Sequence, residues 1–129
     1  MTLSAKQQSE ASDRRERLIE ICTQLPEVAY EVVGHGHIAF RIRKKNFAYY
    51  LFDHHGDGRI AFCCKSSLSE QRRLIRDDAE TFFVPAYVGV RGWVGMRLDL
   101  AEVDWETLTD LARQAYQSTA PRKLAALIE

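Results

Sequence analysis

Residues 37–64, HIAFRIRKKNFAYYLFDHHGDGRIAFCC, decide the fold. Ile38, Phe40 and Ile42 alternate with Ala39, Arg41 and Arg43. Phe47, Tyr49 and Leu51 alternate with Ala48, Tyr50 and Phe52. Ile60, Phe62 and Cys64 alternate with Arg59, Ala61 and Cys63. A period of two is the mark of a strand with one face buried, so each run is predicted as a strand whose first-named set faces the core. Lys44-Lys45-Asn46 and the six residues 53–58, which include Gly56 and Gly58, separate the runs. Such breaks suit hairpin turns. Parallel neighbours would need crossovers of a dozen residues or more, so the strands form an antiparallel meander.

Working outward, a weaker strand over Ala29–Val33 precedes the turn Gly34-His35-Gly36. Before it, Leu18, Ile19, Cys22 and Leu25 recur at helical spacing, and Pro26 ends a helix read at about 13–25. Residues 1–12 read as a flexible polar lead-in. Downstream, Ser67 followed by Glu70 is a capping box opening a helix to about Ala79. Tyr87–Val90 reads as a short strand that turns at Gly92 into another over 93–99. Asp104 caps a third helix, with Trp105, Leu108, Leu111, Ala112 and Ala115 as its buried stripe. Pro121 opens a short fourth helix. The order α-β-β-β-β-α-β-β-α-α describes an α+β domain: an antiparallel sheet of hairpins with helices packed on it, over residues 13–129.

The 129 residues suit one domain. Eighteen Lys and Arg balance eighteen Asp and Glu. That balance is unlike a protein that grips phosphates with its whole surface, so nucleic-acid binding would have to rest on a local patch. Three cysteines, an odd number, argue against a disulfide framework. No apolar run approaches the ~20 residues of a membrane span, and no secretory leader is visible. The expected location is the cytoplasm, with no membrane partner.

Several stretches together resemble the MmcQ/YjbR-like family of small bacterial proteins. They are Leu25-Pro26-Glu27, Gly34-His35-Gly36-His37 with Phe40-Arg41-Ile42, Lys45-Asn46-Phe47-Ala48, Cys64-Lys65, the long run from Phe83 to Leu98, Asp104-Trp105-Glu106, and Ala120 to Ala125. The likeness spans about 14–128. It implies a small antiparallel fold similar to secretion-chaperone and frataxin-like domains, and a DNA-binding label based on a double-wing arrangement of strands. It supplies no catalytic residues and no cofactor. Some relatives carry a phosphoribosylglycinamide formyltransferase label, but that chemistry needs parallel strands and a folate cleft, and this sequence has the pattern of neither.

Arg41, Arg43, Lys44 and Lys45 flank one predicted hairpin turn, and Arg91, Trp93 and Arg97 surround the later one. If the hairpins lie side by side, they present cations to a phosphate backbone and an aromatic ring to a base. The first expectation is therefore DNA binding through this basic hairpin surface. The alternative is a non-enzymatic, chaperone-like protein-interaction module. A metal- or small-molecule-dependent enzyme ranks last. His35, His37, His54 and His55 are suitable ligand types, but their spacing gives no convergent set, and no metal is expected. Cys63, predicted to point away from the core, is the better of two weak nucleophile candidates. Phe47, Tyr49, Phe52, Phe62, Phe82 and Trp105 are expected in the core.

Overall fold

The structure is a computed structural model and describes residues 5–53, 56 and 58–128. Its elements run α1 (Ala5–Thr23), β1 (Ala29–Val33), β2 (His37–Ile42), β3 (Lys45–Phe52), β4 (Ile60–Cys64), α2 (Leu68–Asp77), β5 (Phe82–Phe83), a 3-10 turn (Val88–Arg91), β6 (Val94–Arg97), α3 (Trp105–Thr119) and α4 (Arg122–Ala126). The six strands form one sheet in the order β1-β2-β3-β4-β6-β5, and every pairing is antiparallel. The α+β class and the order of elements are those read from the sequence.

The helices bury one face of the sheet. Ile38, Phe40, Ile42, Ala48, Tyr50, Ile60, Phe62, Cys64, Val94 and Met96 share a core with Leu18 and Cys22 of α1 and Leu108, Leu111, Ala112, Ala115 and Tyr116 of α3. Leu74 of α2 belongs to the same core. α2 starts where Ser67 Oγ accepts the Glu70 amide (3.1 Å). Glu70's carboxylate turns to Arg73 instead of closing the box. α3 starts where Asp104 accepts both the amide and the hydroxyl of Thr107. Those bonds hold the Asp104 carboxyl below its ordinary range.

Three local readings change. α1 begins at Ala5 rather than near residue 13, and Ala11 is buried in the core. The Arg14 guanidinium ties this helix to the stretch after β6, donating to the Leu98, Leu100 and Ala101 carbonyls (2.5, 2.6 and 3.1 Å). The second change concerns the phase of β3. A bulge between Phe40 and Arg41 pairs Phe40 with Ala48 but Arg41 with Asn46, which leaves Phe47 as the extra residue. Phe47 and Ala48 both reach the core, and beyond them Tyr50 faces inward while Tyr49 and Leu51 lie on the opposite face. Third, Val88–Arg91 is a 3-10 turn, and the short strand lies earlier, at Phe82–Phe83. The turn brings Gly89 so close to Val84 that a Cβ there would come within 2.4 Å of Val84 Cγ1.

The β2–β3 hairpin loop also sits one residue earlier than its composition suggested. Ile42 pairs with Lys45, so the two loop residues are Arg43 (φ 50°) and Lys44 (φ 70°). Positive φ at both positions is a type I′ turn, which favours Asn-Gly. An ordinary side chain in that region costs roughly 1–2 kcal/mol. Replacing Arg43-Lys44 by Asn-Gly is therefore expected to stabilise the fold by about 1 kcal/mol in urea denaturation, after allowing for the exposed Arg43–Glu27 pair it removes. Loss of stability would contradict the turn assignment.

Candidate nucleic-acid interface

The residues singled out from the sequence divide into two groups. Arg41, Arg43 and Arg97 are neutralised. Arg41, on the face away from the helices, donates to Glu31 Oε2 (2.5 Å) and Asn46 Oδ1 (2.8 Å). Arg43 forms a two-point pair with Glu27 (2.8 and 3.1 Å). That contact holds the Glu27 carboxyl low. Arg97 forms a two-point pair with Asp99 (3.0 and 2.9 Å) and lies opposite Ala61, farther along the sheet from the β2–β3 turn. Among the described residues, Lys44, Lys45 and Arg91 make no ion pair.

Trp93 departs from the expected role. It is 7% exposed, and its ring packs against Tyr49 with centroids 5.5 Å apart. Tyr49 in turn accepts a hydrogen bond from Asn46 Nδ2 (2.9 Å). Glu31, Arg41, Asn46, Tyr49 and Trp93 thus form one continuous chain of contacts. It stiffens the helix-free face of the sheet and leaves no Trp93 surface for a base.

Two residues outside the predicted cationic surface bear on this region. Lys65 follows β4, and its amide donates to the Phe47 carbonyl (3.0 Å). It therefore stands at the same end of the sheet as the Arg43-Lys44 turn. It too has no ion pair among the described residues. Tyr87, in the segment joining β5 to β6, is 77% exposed, and Val90 beside it is 82% exposed. Tyr87 has φ 66° and ψ −59°, a strained conformation for a bulky residue. The segment is held by Gln71, a buried polar side chain of α2. Its Nε2 donates to the Gly89 carbonyl (2.8 Å) and the Trp93 carbonyl (2.6 Å). Gly92 (φ 94°) packs so closely on the start of α2 that a Cβ would fall 2.8 Å from the Leu68 nitrogen. Strain held in place by such surroundings is a recurrent feature of working surfaces. Flanking glycines and a proline around an exposed aromatic were the available sequence signal.

Cys63 lies on the helix-free face, as predicted, but is 1% exposed. Burial pushes its thiol up to about 12, so it carries no thiolate at neutral pH. Burial also raises the Cys22 and Cys64 thiols. His37 Nδ1 accepts the Phe52 amide (3.0 Å), a cross-strand structural bond, while His35 lies exposed in the preceding turn. His54 and His55 lie outside the described residues. Among the described residues, no three His, Cys, Asp or Glu side chains stand close enough to hold a metal ion. No described helix is long and apolar enough to cross a membrane.

The fold and this sheet end define a small α+β domain in which a six-stranded antiparallel sheet, backed by helices on one face, carries unpaired cations at one end. The chain belongs to the YjbR family, whose model matches residues 23–118. A crystal structure of the Deinococcus radiodurans protein DR2400, described with a DUF419 domain, is similar in fold. Its TM-score is 0.67 and its identity 18%, over 81% of this chain and 76% of that one. No curated protein matches the sequence.

Proposed function

We propose that this domain binds nucleic acid, with duplex DNA as the first candidate, through the sheet end formed by the β2–β3 turn, the exit of β4 and the β5–β6 segment. The observation that carries this reading is the set of four unpaired cations there: Lys44, Lys45, Lys65 and Arg91. The remaining cations of the sequence-level patch have acidic partners, so the attraction to phosphates comes from these four. They fit a zero net charge because the contact is local. Tyr87 replaces Trp93 as the aromatic side chain able to stack on a base.

Four phosphate contacts imply a modest affinity, with log K falling by about 3 to 4 per tenfold rise in salt on duplex DNA. Fluorescence anisotropy with labelled duplex and single-stranded DNA measures both affinity and slope. The Lys44→Glu/Lys45→Glu variant is expected to lose at least tenfold in affinity at low salt. No binding near 50 mM salt, or full binding by that variant, removes the proposal.

A second reading has its own observation. Val84, Tyr87 and Val90 are large apolar side chains exposed on one rigid segment, a composition suited to a protein partner. Under that reading, Tyr87→Ala abolishes capture of the partner but leaves the affinity for DNA unchanged, whereas loss of a stacking ring would lower it.

A further inference from the structure

The sheet has two edges, and they are treated differently. β5, at one edge, is two residues long. A short edge strand offers little backbone for a foreign strand to pair with. β1, at the other edge, has five residues, Ala29–Val33, paired on one side only, with β2. Of the usual protections it carries a single charge, Glu31, with no proline, no lysine and no bulge in its pairing. Tyr30 and Val32, 47% and 53% exposed, lie on the helix side of this edge, where their β2 partners Phe40 and Ile38 are buried.

We infer that the outer edge of β1 pairs antiparallel with the β1 edge of a second copy of this chain, around a two-fold axis at Glu31. The sequence of the strand is complementary to itself in this register. With Glu31 opposite its own copy, each Tyr30 faces the other copy's Val32, and each Ala29 faces Val33. Aromatic rings opposite β-branched side chains are favourable cross-strand pairs. The two Tyr30–Val32 pairs fall on the helix side, so the two-fold covers the apolar side chains that the single chain leaves exposed there, while the Ala29–Val33 pairs lie on the other face with Glu31. Opposed glutamates would repel, but each Glu31 is already bound to its own Arg41 at 2.5 Å. The axis is therefore crossed by the sequence Arg41, Glu31, Glu31, Arg41, in which each acid carries its own cation. The two sheets become one of twelve strands, and a two-fold normal to that sheet keeps the helices of both copies on the same side.

Five residues a side make a small interface, below the ~1,200 Å² of standard complexes, so the dimer is concentration-dependent. Sedimentation velocity across about 1 to 300 µM protein brackets a Kd of that class. The wild-type chain is expected to shift from monomer to dimer across this range. Val32→Lys, at an exposed site, is expected to remain monomeric with an unchanged circular dichroism spectrum. The register has its own test. Glu31→Cys places two thiols directly opposite, within the 4.4–6.8 Å Cα separation a disulfide needs, whereas Ala29→Cys leaves its two copies ~13 Å apart along the strand. The native cysteines are buried, so mild oxidation is expected to cross-link Glu31→Cys and not Ala29→Cys. A wild-type chain that stays monomeric throughout, a dimer that survives Val32→Lys, or a Glu31→Cys variant that does not cross-link overturns the inference. Monomeric behaviour would leave the edge to a strand from another protein.

Discussion

Raising the pH above about 9 is expected to unfold this domain steeply. Its three cysteines are all free and buried. Burial accounts for most of their altered titration: the Cys63 thiol is pushed up to about 12, and the Cys22 and Cys64 thiols are raised as well, Cys64 also by its two thiol neighbours. In the unfolded chain each returns to its ordinary value of 9.0. A folded value above the unfolded one means that the stabilisation is complete below the unfolded value and is lost as pH climbs toward the folded one. Between those limits the native state holds protons that the unfolded state has released. Each thiol then costs somewhat more than ~1 kcal/mol per pH unit, and three together cost roughly 4 kcal/mol per unit. Tyr50, whose hydroxyl burial pushes up to about 12 from 10.0, adds to the slope above pH 10. A domain of ordinary stability holds about 5–15 kcal/mol, so the transition falls between about pH 10 and 12. Urea melts at closely spaced pH values measure the slope. A stability that stays level from pH 8 to 10.5 would show that the thiols are not held protonated inside. The same burial makes all three silent to a thiol reagent at pH 8 until the chain opens.

Those cysteines illustrate how far periodicity carries and where it stops. Cys64 was legible as core because Ile60 and Phe62 set the phase of β4. The sheet, its antiparallel order and the caps Ser67 and Asp104 were legible for the same reason: each rests on local spacing or on one side chain bonding its own helix. The phase of β3 was not legible. From Phe47 to Phe52 both faces are apolar, so alternation fits either choice, and only the bulge against Phe40 and Arg41 selects one. The 3-10 turn at Val88–Arg91 was hidden by a valine-glycine-valine pattern that mimics a strand. The turn is packed against Val84 at Gly89, a contact that no local pattern records.

The candidate site was half legible for a related reason. Lys44, Lys45 and Arg91 could be read as exposed cations because turns lie at the surface. Whether an arginine is free depends on what lies across from it. Glu31 reaches Arg41 because Ala29 pairs with Arg41 and Glu31 with Ala39, and Glu27 reaches Arg43 from just before that strand. Charge counted along the sequence therefore overstated the patch. Lys65 went unweighed because its place beside the β2–β3 turn appears only when β3 and β4 are paired through Ala48 and Cys64. Tyr87 was left out of the nucleic-acid surface because a strand reading gave it no protrusion.

Gln71→Leu is expected to lower stability by about 2 to 4 kcal/mol and to free the segment that carries Tyr87 and Arg91. Gln71 is almost fully buried on α2, an unusual place for an amide. Its two Nε2 protons satisfy the Gly89 and Trp93 carbonyls. Leucine fills the volume but donates nothing, so two buried acceptors lose their partner, at about 1–3 kcal/mol each. Better burial of an apolar side chain offsets part of that cost. The damage is local because the rest of the segment is strained. Tyr87 keeps its positive φ while Gly89, Gly92 and Gln71 fix the chain just after it. Without the two bonds, the segment relaxes toward ordinary backbone angles. Amide exchange is expected to accelerate over residues 84–93 while β2 to β4 stay protected. If this segment supplies Arg91 and Tyr87 to DNA, affinity falls with its order, although neither residue is changed. Gln114→Leu, on an exposed position of α3, serves as the control and is expected to fall within about 0.5 kcal/mol of the parent. A Gln71→Leu protein with parental stability and unchanged exchange at residues 84–93 would mean that packing of Pro85, Gly89 and Gly92 alone holds the segment, and that the glutamine is dispensable.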